Sequence, residues 1–308
     1  MKVSIIGAGN VGTMTAMRIA EGGLADVILL DVAKGLSLGK ALDLSHASSI
    51  IGHNQRIEGT EQYEDIKDSQ IVIITAGITR SPDMTREDLF IKNSRIVKDV
   101  TGKIKIYAPD SIIIVVTNPL DIMSYLAYRV SGFGAKKVFG MAGILDSARF
   151  NWFISQELNL PVGEIKTIVL GGHGDSMVCL PRFSTAGAKP ITELLSGQKI
   201  NRIIDRTRRA GAEIVSFLGR GSAYLAPSAA IYTMVRSIIL DQKKTFPVSA
   251  YLEGQYGLKG IYLGAPVKLG RNGAEEIVEL ALNKQELQSL HKSADVIRKG
   301  IENLMSIP

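Results

Sequence analysis

Four short blocks of almost fully apolar residues punctuate the first half of the chain: Val3–Ile6, Val27–Leu30, Ile71–Ile74 and Ile112–Val116. Strands buried on both faces of a sheet read this way, whereas strands with one wet face alternate. Helix-like segments lie between them, among them Val11–Ala20, Leu36–His46 and Asp88–Tyr107. Strand–helix–strand repetition at this spacing predicts right-handed crossovers and an α/β fold with a parallel, doubly wound sheet. The pattern changes around Met141–Leu145. A long helix over Ile144–Leu158 leads to one more apolar run, Ile165–Leu170, and then to Gly-Gly-His-Gly-Asp-Ser. Helices near Asn201–Phe217 and Ala226–Leu240 follow, with strands at Ile261–Leu263 and Ala265–Leu269 and a charged helix from Lys284 to about Leu304. The expected organisation is residues 1–142 as the sheet domain and 143–308 as a mixed α+β domain packed closely against it.

The length of 308 residues fits about two domains. Hydrophobic residues at 45% and charged residues at 21% exclude a disordered or collagen-like chain. The single cysteine, Cys179, excludes an internal disulfide and a cysteine-built zinc site, so no metal is expected and a reducing compartment fits. No apolar stretch approaches the ~18–20 residues of a membrane span, and the N-terminus has no signal-peptide pattern. A soluble, cytoplasmic protein with no membrane partner is therefore expected. The net charge of +6 does not come with aromatic interleaving. Its densest cluster, Arg202, Arg206, Arg208 and Arg209, shares a helix with Asp205 and Glu213 and reads as a solvated face. No nucleic-acid partner is expected, and an arginine surplus suits a small acidic substrate.

Gly7-Ala8-Gly9-Asn10-Val11-Gly12 stands directly between the first strand and the first helix. In that context each glycine has its own role, with a tight turn at Gly7, close approach of a pyrophosphate at Gly9, and helix–strand packing at Gly12. Free N–H groups at the helix start then face the phosphates. The second strand ends at Asp31, whose carboxylate can accept both ribose hydroxyls and repels a 2′-phosphate, favouring NAD over NADP. FAD and SAM enzymes share the fingerprint, so it indicates a Rossmann-type nucleotide site and no particular reaction. Thr75-Ala76-Gly77 and Val116-Thr117-Asn118 close the third and fourth blocks, at strand ends where open α/β sheets bind ligands.

Of the four histidines, His46 and His291 fall in helices and His53 in a turn, where structural or solvated roles prevail. His173 follows a strand between Gly172 and Gly174, little covered, as a general acid–base group requires. Asp146 and Arg149, three apart on a helix, share a face. Asp146 can orient an imidazole and Arg149 can present a planar fork to a carboxylate. Spacing alone equally allows an intrahelical salt bridge. The segment Thr79-Arg80-Ser81-Pro82-Asp83-Met84-Thr85-Arg86 reads as a surface loop whose arginines either cover a strand-end site or stay solvated.

Taken together, GAGNVG with Asp31, TAG, the arginine loop, VTNPLD, LDSARF and GGHGDS occur in an order and spacing that resemble the lactate/malate dehydrogenase family along almost the whole chain. The loop ITRSPDMTR is similar to that of the malate members that lie close to the lactate members. The resemblance implies His173 as proton acceptor, Asp146 as its partner and Arg149 as carboxylate anchor. It implies Arg86 as the loop residue that polarises the reacting oxygen, and Asn118 as a substrate contact. Gly7, Ala8, Gly9, Asn10, Val11, Gly12, Asp31, Asn93, Val116, Thr117 and Asn118 would line the NAD site. Lactate members usually carry Gln where Arg80 stands, and malate members Arg; a second arginine balances a second carboxylate. The implied substrate pair is the dicarboxylates malate and oxaloacetate, with a lactate or broader 2-hydroxyacid dehydrogenase as the nearest alternative. A non-catalytic nucleotide-binding protein is a distant one. Many malate members have Gly at Asp83, and the extra charge here can alter loop closure. The family forms homodimers and homotetramers.

Overall fold

The chain opens with β1 (Lys2–Ile6), α1 (Asn10–Glu21), β2 (Asp26–Leu30), α2 (Leu36–Ile51), β3 (Ile57–Thr60) and β4 (Ile71–Ile74). It continues with α3 (Arg86–Tyr107), β5 (Ile112–Val115), α4 (Leu120–Ser131) and β6 (Val138–Gly140). The computed structural model describes residues 1–78, 85–219 and 221–306; the side chain of Arg86 lies outside the described set. These six strands pair in parallel in the order β3-β2-β1-β4-β5-β6. The apolar blocks have no wet face because both sides of the sheet are covered. Ile6, Leu30, Val72, Ile74, Ile113 and Val115 point into one core, with Val97 and Ile104 of α3 and Met123 of α4. Their neighbours Val3, Ile5, Val27, Leu29, Ile71 and Ile73 point into the other, with Ala16 and Ile19 of α1.

The rest comprises α5 (Gly143–Leu158), β7 (Ile165–Lys166), β8 (Val169–Gly171), β9 (Met177–Cys179), β10 (Thr185–Ala186), β11 (Lys189–Pro190), α6 (Ile191–Leu194) and α7 (Gly197–Leu218). It ends with α8 (Leu225–Ile239), β12 (Lys244–Glu253), β13 (Lys259–Gly270), β14 (Gly273–Ile277) and α9 (Lys284–Met305). The sheet does not stop at β6. β12 joins it antiparallel through Ser249 and Gly140, and β13, β8 and β9 follow, while β14 pairs with β13. α8 reaches back to the core that holds α1 with Ile231 and Met234, and Arg18 Nε of α1 donates to Ser228 Oγ at 3.0 Å.

Several elements depart from the apolar pattern. Ile165–Leu170 is not one strand: β7 pairs with β10 in a small separate sheet and β8 pairs with β13, with Thr167 and Ile168 between them. Ile261–Leu263 and Ala265–Leu269 are a single strand, because Gly264 continues it. A Cβ at Gly264 would lie 2.4 Å from the Gly171 carbonyl oxygen, so only glycine lets β8 approach. β3, β6 and β12 carry no clear signal in the sequence. β3 is a short edge strand with one isoleucine, and β12 contains Pro247, which ordinarily argues against a strand.

Candidate active site

The carboxyl ends of β4 and β5 and the start of α1 meet at a cavity of about 490 Å³. Val11, Gly77, Asn93, Val116, Thr117 and Asn118 form its wall on the parallel side. Arg149, His173, Met177 and Arg208 close it from the other side. Residues expected from the sequence in both halves thus converge on one cleft.

The glycine-rich turn fits a dinucleotide. Gly7 has φ +111°, and a Cβ there would lie 2.7 Å from the backbone nitrogen of Ala76. At Gly12 a Cβ would lie 1.9 Å from the Gly7 carbonyl oxygen, so α1 and β1 pack backbone to backbone. A Cβ at Gly9 would meet no described heavy atom within 4 Å, leaving the approach to the helix start open. Asp31 already bonds the turn: Oδ2 accepts from Ala8 N at 2.6 Å and Oδ1 from Ala33 N at 2.9 Å. A carboxylate has about four acceptor positions, so capacity remains for hydroxyls. Lys40, which no sequence motif marks, donates to the Ala8 carbonyl at 2.7 Å.

Asn93 spends its side chain on the protein. Its Oδ1 accepts from Ile78 N at 2.9 Å and its Nδ2 donates to the Asn118 carbonyl at 2.9 Å, which ties two strand-end turns together. Thr117 Oγ1 donates to the Ala76 carbonyl at 2.6 Å. Gly77 permits this crowding, since its Cβ would lie 2.7 Å from Thr117 Cγ2.

On the opposite wall, the first turns of α5 carry Asp146, 1% exposed. Its Oδ2 lies 2.8 Å from Nδ1 of His173 and its Oδ1 3.3 Å from a guanidinium nitrogen of Arg149. The intrahelical Asp146–Arg149 pair therefore forms, and the same carboxylate also meets the imidazole. Burial works against a charged His173, but the Asp146 carboxylate outweighs it by charge and hydrogen bond, and the imidazole pKa is raised from its ordinary 6.5. Arg149 keeps a buried Nε that has no hydrogen-bond partner among the described residues. Gly211 of α7 faces the Arg149 guanidinium, where a Cβ would make an ordinary contact at 3.6 Å.

Arg80 and Asp83 lie outside the described residues. Arg86 is the first residue of α3, behind a capping box in which Thr85 Oγ1 accepts from Asp88 N and Asp88 Oδ2 accepts from Thr85 N. Of the arginine cluster on α7, Arg202, Arg206 and Arg209 are exposed as a solvated face would be, whereas Arg208 turns to the cavity wall. Arg206 meets Glu213 at 2.7 Å, and Asp205 is taken by Arg208 at 3.3 Å; Arg202 turns to Glu157 at 3.9 Å instead. Asp121, inside VTNPLD, is a buried carboxylate beside the cleft that sequence reasoning misses. It accepts from the His173 backbone N–H at 2.8 Å. The one signal for it is a carboxylate one turn after a strand-end asparagine.

Residues 1–140 match the model of the lactate/malate dehydrogenase NAD-binding domain, and residues 144–307 that of the lactate/malate dehydrogenase alpha/beta C-terminal domain. The chain belongs to the lactate/malate dehydrogenase family. A malate dehydrogenase of Methanosarcina mazei is 52% identical over 304 residues, 99% of each chain. The structure of a malate dehydrogenase from Salinibacter ruber matches with a TM-score of 0.95 at 43% identity, covering 99% of this chain and 98% of that one. A lactate dehydrogenase of Cryptosporidium parvum, solved with lactic acid and nicotinamide adenine dinucleotide, matches with a TM-score of 0.96 at 38% identity, covering 100% and 98%. The family fold, a Rossmann sheet with a C-terminal α/β part, is the architecture described above. The chain is thus an oxidoreductase of this family with an NAD-binding domain.

Proposed function

We propose that the chain catalyses the reversible NAD-dependent oxidation of (S)-malate to oxaloacetate, with residues 1–142 holding the cofactor and 143–308 supplying the acid–base and anchoring groups. The observation that carries the reading is the contact of Asp146 with both His173 and Arg149 on the wall of a cavity shared with the glycine-rich turn side. When bound, NAD supplies the hydride-accepting ring; Gly7–Gly12, Asp31 and Val116–Asn118 would hold it, with Asn93 bracing the strand-end turns of that site.

The chain's own residues do the rest. Asp146 fixes Nδ1 of His173, so Nε2 is the nitrogen that takes the hydroxyl proton of malate and returns it to oxaloacetate. Arg149 anchors the C1 carboxylate with a two-pronged hydrogen bond. Arg80 pairs with the C4 carboxylate, Arg86 polarises the reacting oxygen, and Asn118 donates to substrate; these roles rest on the family pattern at those positions. The malate names of the 46–52% identical relatives support malate over lactate. Leu38, Leu42 and Ile50, exposed along α2, support self-association as a homodimer or homotetramer. The free thiol Cys179, buried, fits a cytoplasmic setting.

Steady-state assay of the purified protein with NADH and either oxaloacetate or pyruvate tests the reading. A higher kcat/KM for oxaloacetate is expected. Preference for pyruvate would transfer the protein to lactate chemistry, and NADH binding without turnover of any 2-oxoacid would make it a nucleotide-binding protein.

A further inference from the structure

Proton transfer at His173 calls for one carboxylate behind the ring, and the fold brings two. Asp146 takes Nδ1. Asp121, 2% exposed, comes from the first turn of α4 and reaches the same residue through its backbone. Oδ2 accepts the His173 N–H at 2.8 Å, and Oδ1 accepts the Ser249 hydroxyl at 2.6 Å. No Lys or Arg among the described residues charge-pairs with it. Burial accordingly pushes its pKa up, against the hydrogen bonds from Ser249 and His173. Burying a carboxylate without a cation is costly, so its persistence asks for a reason.

The local chain explains what it does. His173 sits between Gly172 and Gly174, the latter at φ +117°, so nothing within the turn itself fixes the ring. The turn is held from outside: Ser293 Oγ accepts from Gly172 N at 2.8 Å, and Asp121 accepts from His173 N. Two donors arriving at two separate oxygens suit an acceptor-only group, which asparagine is not. Asp121 also stands three residues after Asn118, on the segment that walls the cavity. One turn therefore carries both a wall of the cavity and the tether of the base.

We propose that Asp121 is a positioning residue: it fixes His173 against the Val116–Asn118 wall and adds a second negative charge beside the imidazolium. The proposal rests on His173 as the proton carrier. The charged groups around His173 are Asp146 and Arg149 of α5 and Asp121 of α4, with Arg208 of α7 across the cavity; β12 offers only the Ser249 hydroxyl and α9 the Ser293 hydroxyl.

The test compares wild type, His173→Asn, Asp121→Asn and Ser249→Ala in NADH titrations and in pH profiles of oxaloacetate reduction. Asp121→Asn is expected to lower kcat about 10- to 100-fold, the cost of a misplaced reacting group. NADH affinity should stay near wild type, and the alkaline limb of kcat/KM should move to lower pH, because a negative charge near the imidazolium is gone. A wild-type kcat, or a lower kcat with the limb unmoved, overturns the proposal. If Asp121→Asn does not fold, Ser249→Ala decides, since it keeps the carboxylate and removes one tether. A smaller fall in kcat with KM and NADH affinity kept supports the proposal, and an unchanged kcat overturns it. Turnover by His173→Asn would remove the proton-carrier reading itself, whereas an inactive His173→Asn beside an unaffected Asp121→Asn removes only the positioning role.

Discussion

The carboxylate of Asp146 lies 2.8 Å from Nδ1 of His173, which leaves Nε2 as the ring nitrogen for the cavity. The same contact holds the imidazole pKa above 6.5, although burial pulls the other way. On the proposed mechanism, oxaloacetate reduction begins from the imidazolium and malate oxidation from neutral His173. The kcat/KM for reduction should hold below the His173 pKa and decline as pH rises through it, while that for oxidation climbs over the same interval. For stability the sign is parallel: the folded pKa exceeds the unfolded one, so the contribution is full below about pH 6.5 and is lost as pH rises through the folded value. Profiles in both directions should share one inflection above 6.5. An inflection at or below that value would contradict the Asp146 contact.

His173→Asn should lower kcat by ~10²–10⁴, the usual contribution of a positioned acid–base group, with NADH binding kept. Stopped-flow single turnovers separate a slowed chemical step from slow product release. A near-normal chemical step would remove His173 from the reaction.

The proposed pairing of Arg80 with the C4 carboxylate bears on substrate choice. Removing one partner of a buried charge pair costs about 3–5 kcal/mol, which corresponds to roughly 10²–10³-fold or more in kcat/KM. Arg80→Gln should therefore depress oxaloacetate reduction by that order and raise pyruvate reduction. An unchanged ratio of the two kcat/KM values would mean that Arg80 does not meet the distal carboxylate.

At Asp31 the expectation concerns the cofactor. NADH should be used better than NADPH, and Asp31→Ser should narrow the gap by removing the charge that repels a 2′-phosphate. Because Asp31 also holds Ala8 N at 2.6 Å, some NADH affinity should be lost as well. Equal use of both cofactors by the unmutated protein would refute the assignment.

Gly12→Ala places a Cβ 1.9 Å from the Gly7 carbonyl oxygen and 2.9 Å from Thr75 Oγ1, both on packed elements. Overpacking of this kind costs about 1–3 kcal/mol. A lower Tm in calorimetry is expected together with weaker NADH binding. Gly9→Ala, with open space at its Cβ, should keep its Tm and lose only NADH affinity.

Much of the fold is legible in the sequence where local pattern and local structure coincide. The four apolar blocks are β1, β2, β4 and β5, because strands covered on both faces leave an unbroken signal. The cleft residues can be named because Gly7–Gly12, Asn118 and His173 all stand at element ends. Non-local relations are not legible. The split of Ile165–Leu170 depends on which strands arrive from elsewhere, and the continuity of β13 depends on Gly171 facing Gly264. Asp121 offers the sequence nothing beyond its place one turn after Asn118, because its partners, His173 and Ser249, are 52 and 128 residues away.

A single backbone bridge, Ser249 to Gly140, carries the sheet from its parallel to its antiparallel part, and a Cβ at Gly140 would lie 2.5 Å from Ser124 Oγ and 3.1 Å from Ser249 Cβ. That seam restricts how the two halves can be traded between relatives. A chimaera joining residues 1–142 to a foreign second half would need a strand equivalent to β12 with an equally small residue facing Gly140. Without one, two strand edges would be left bare, each a template for aggregation. New substrates are therefore more readily reached by exchanging cleft side chains than by exchanging halves.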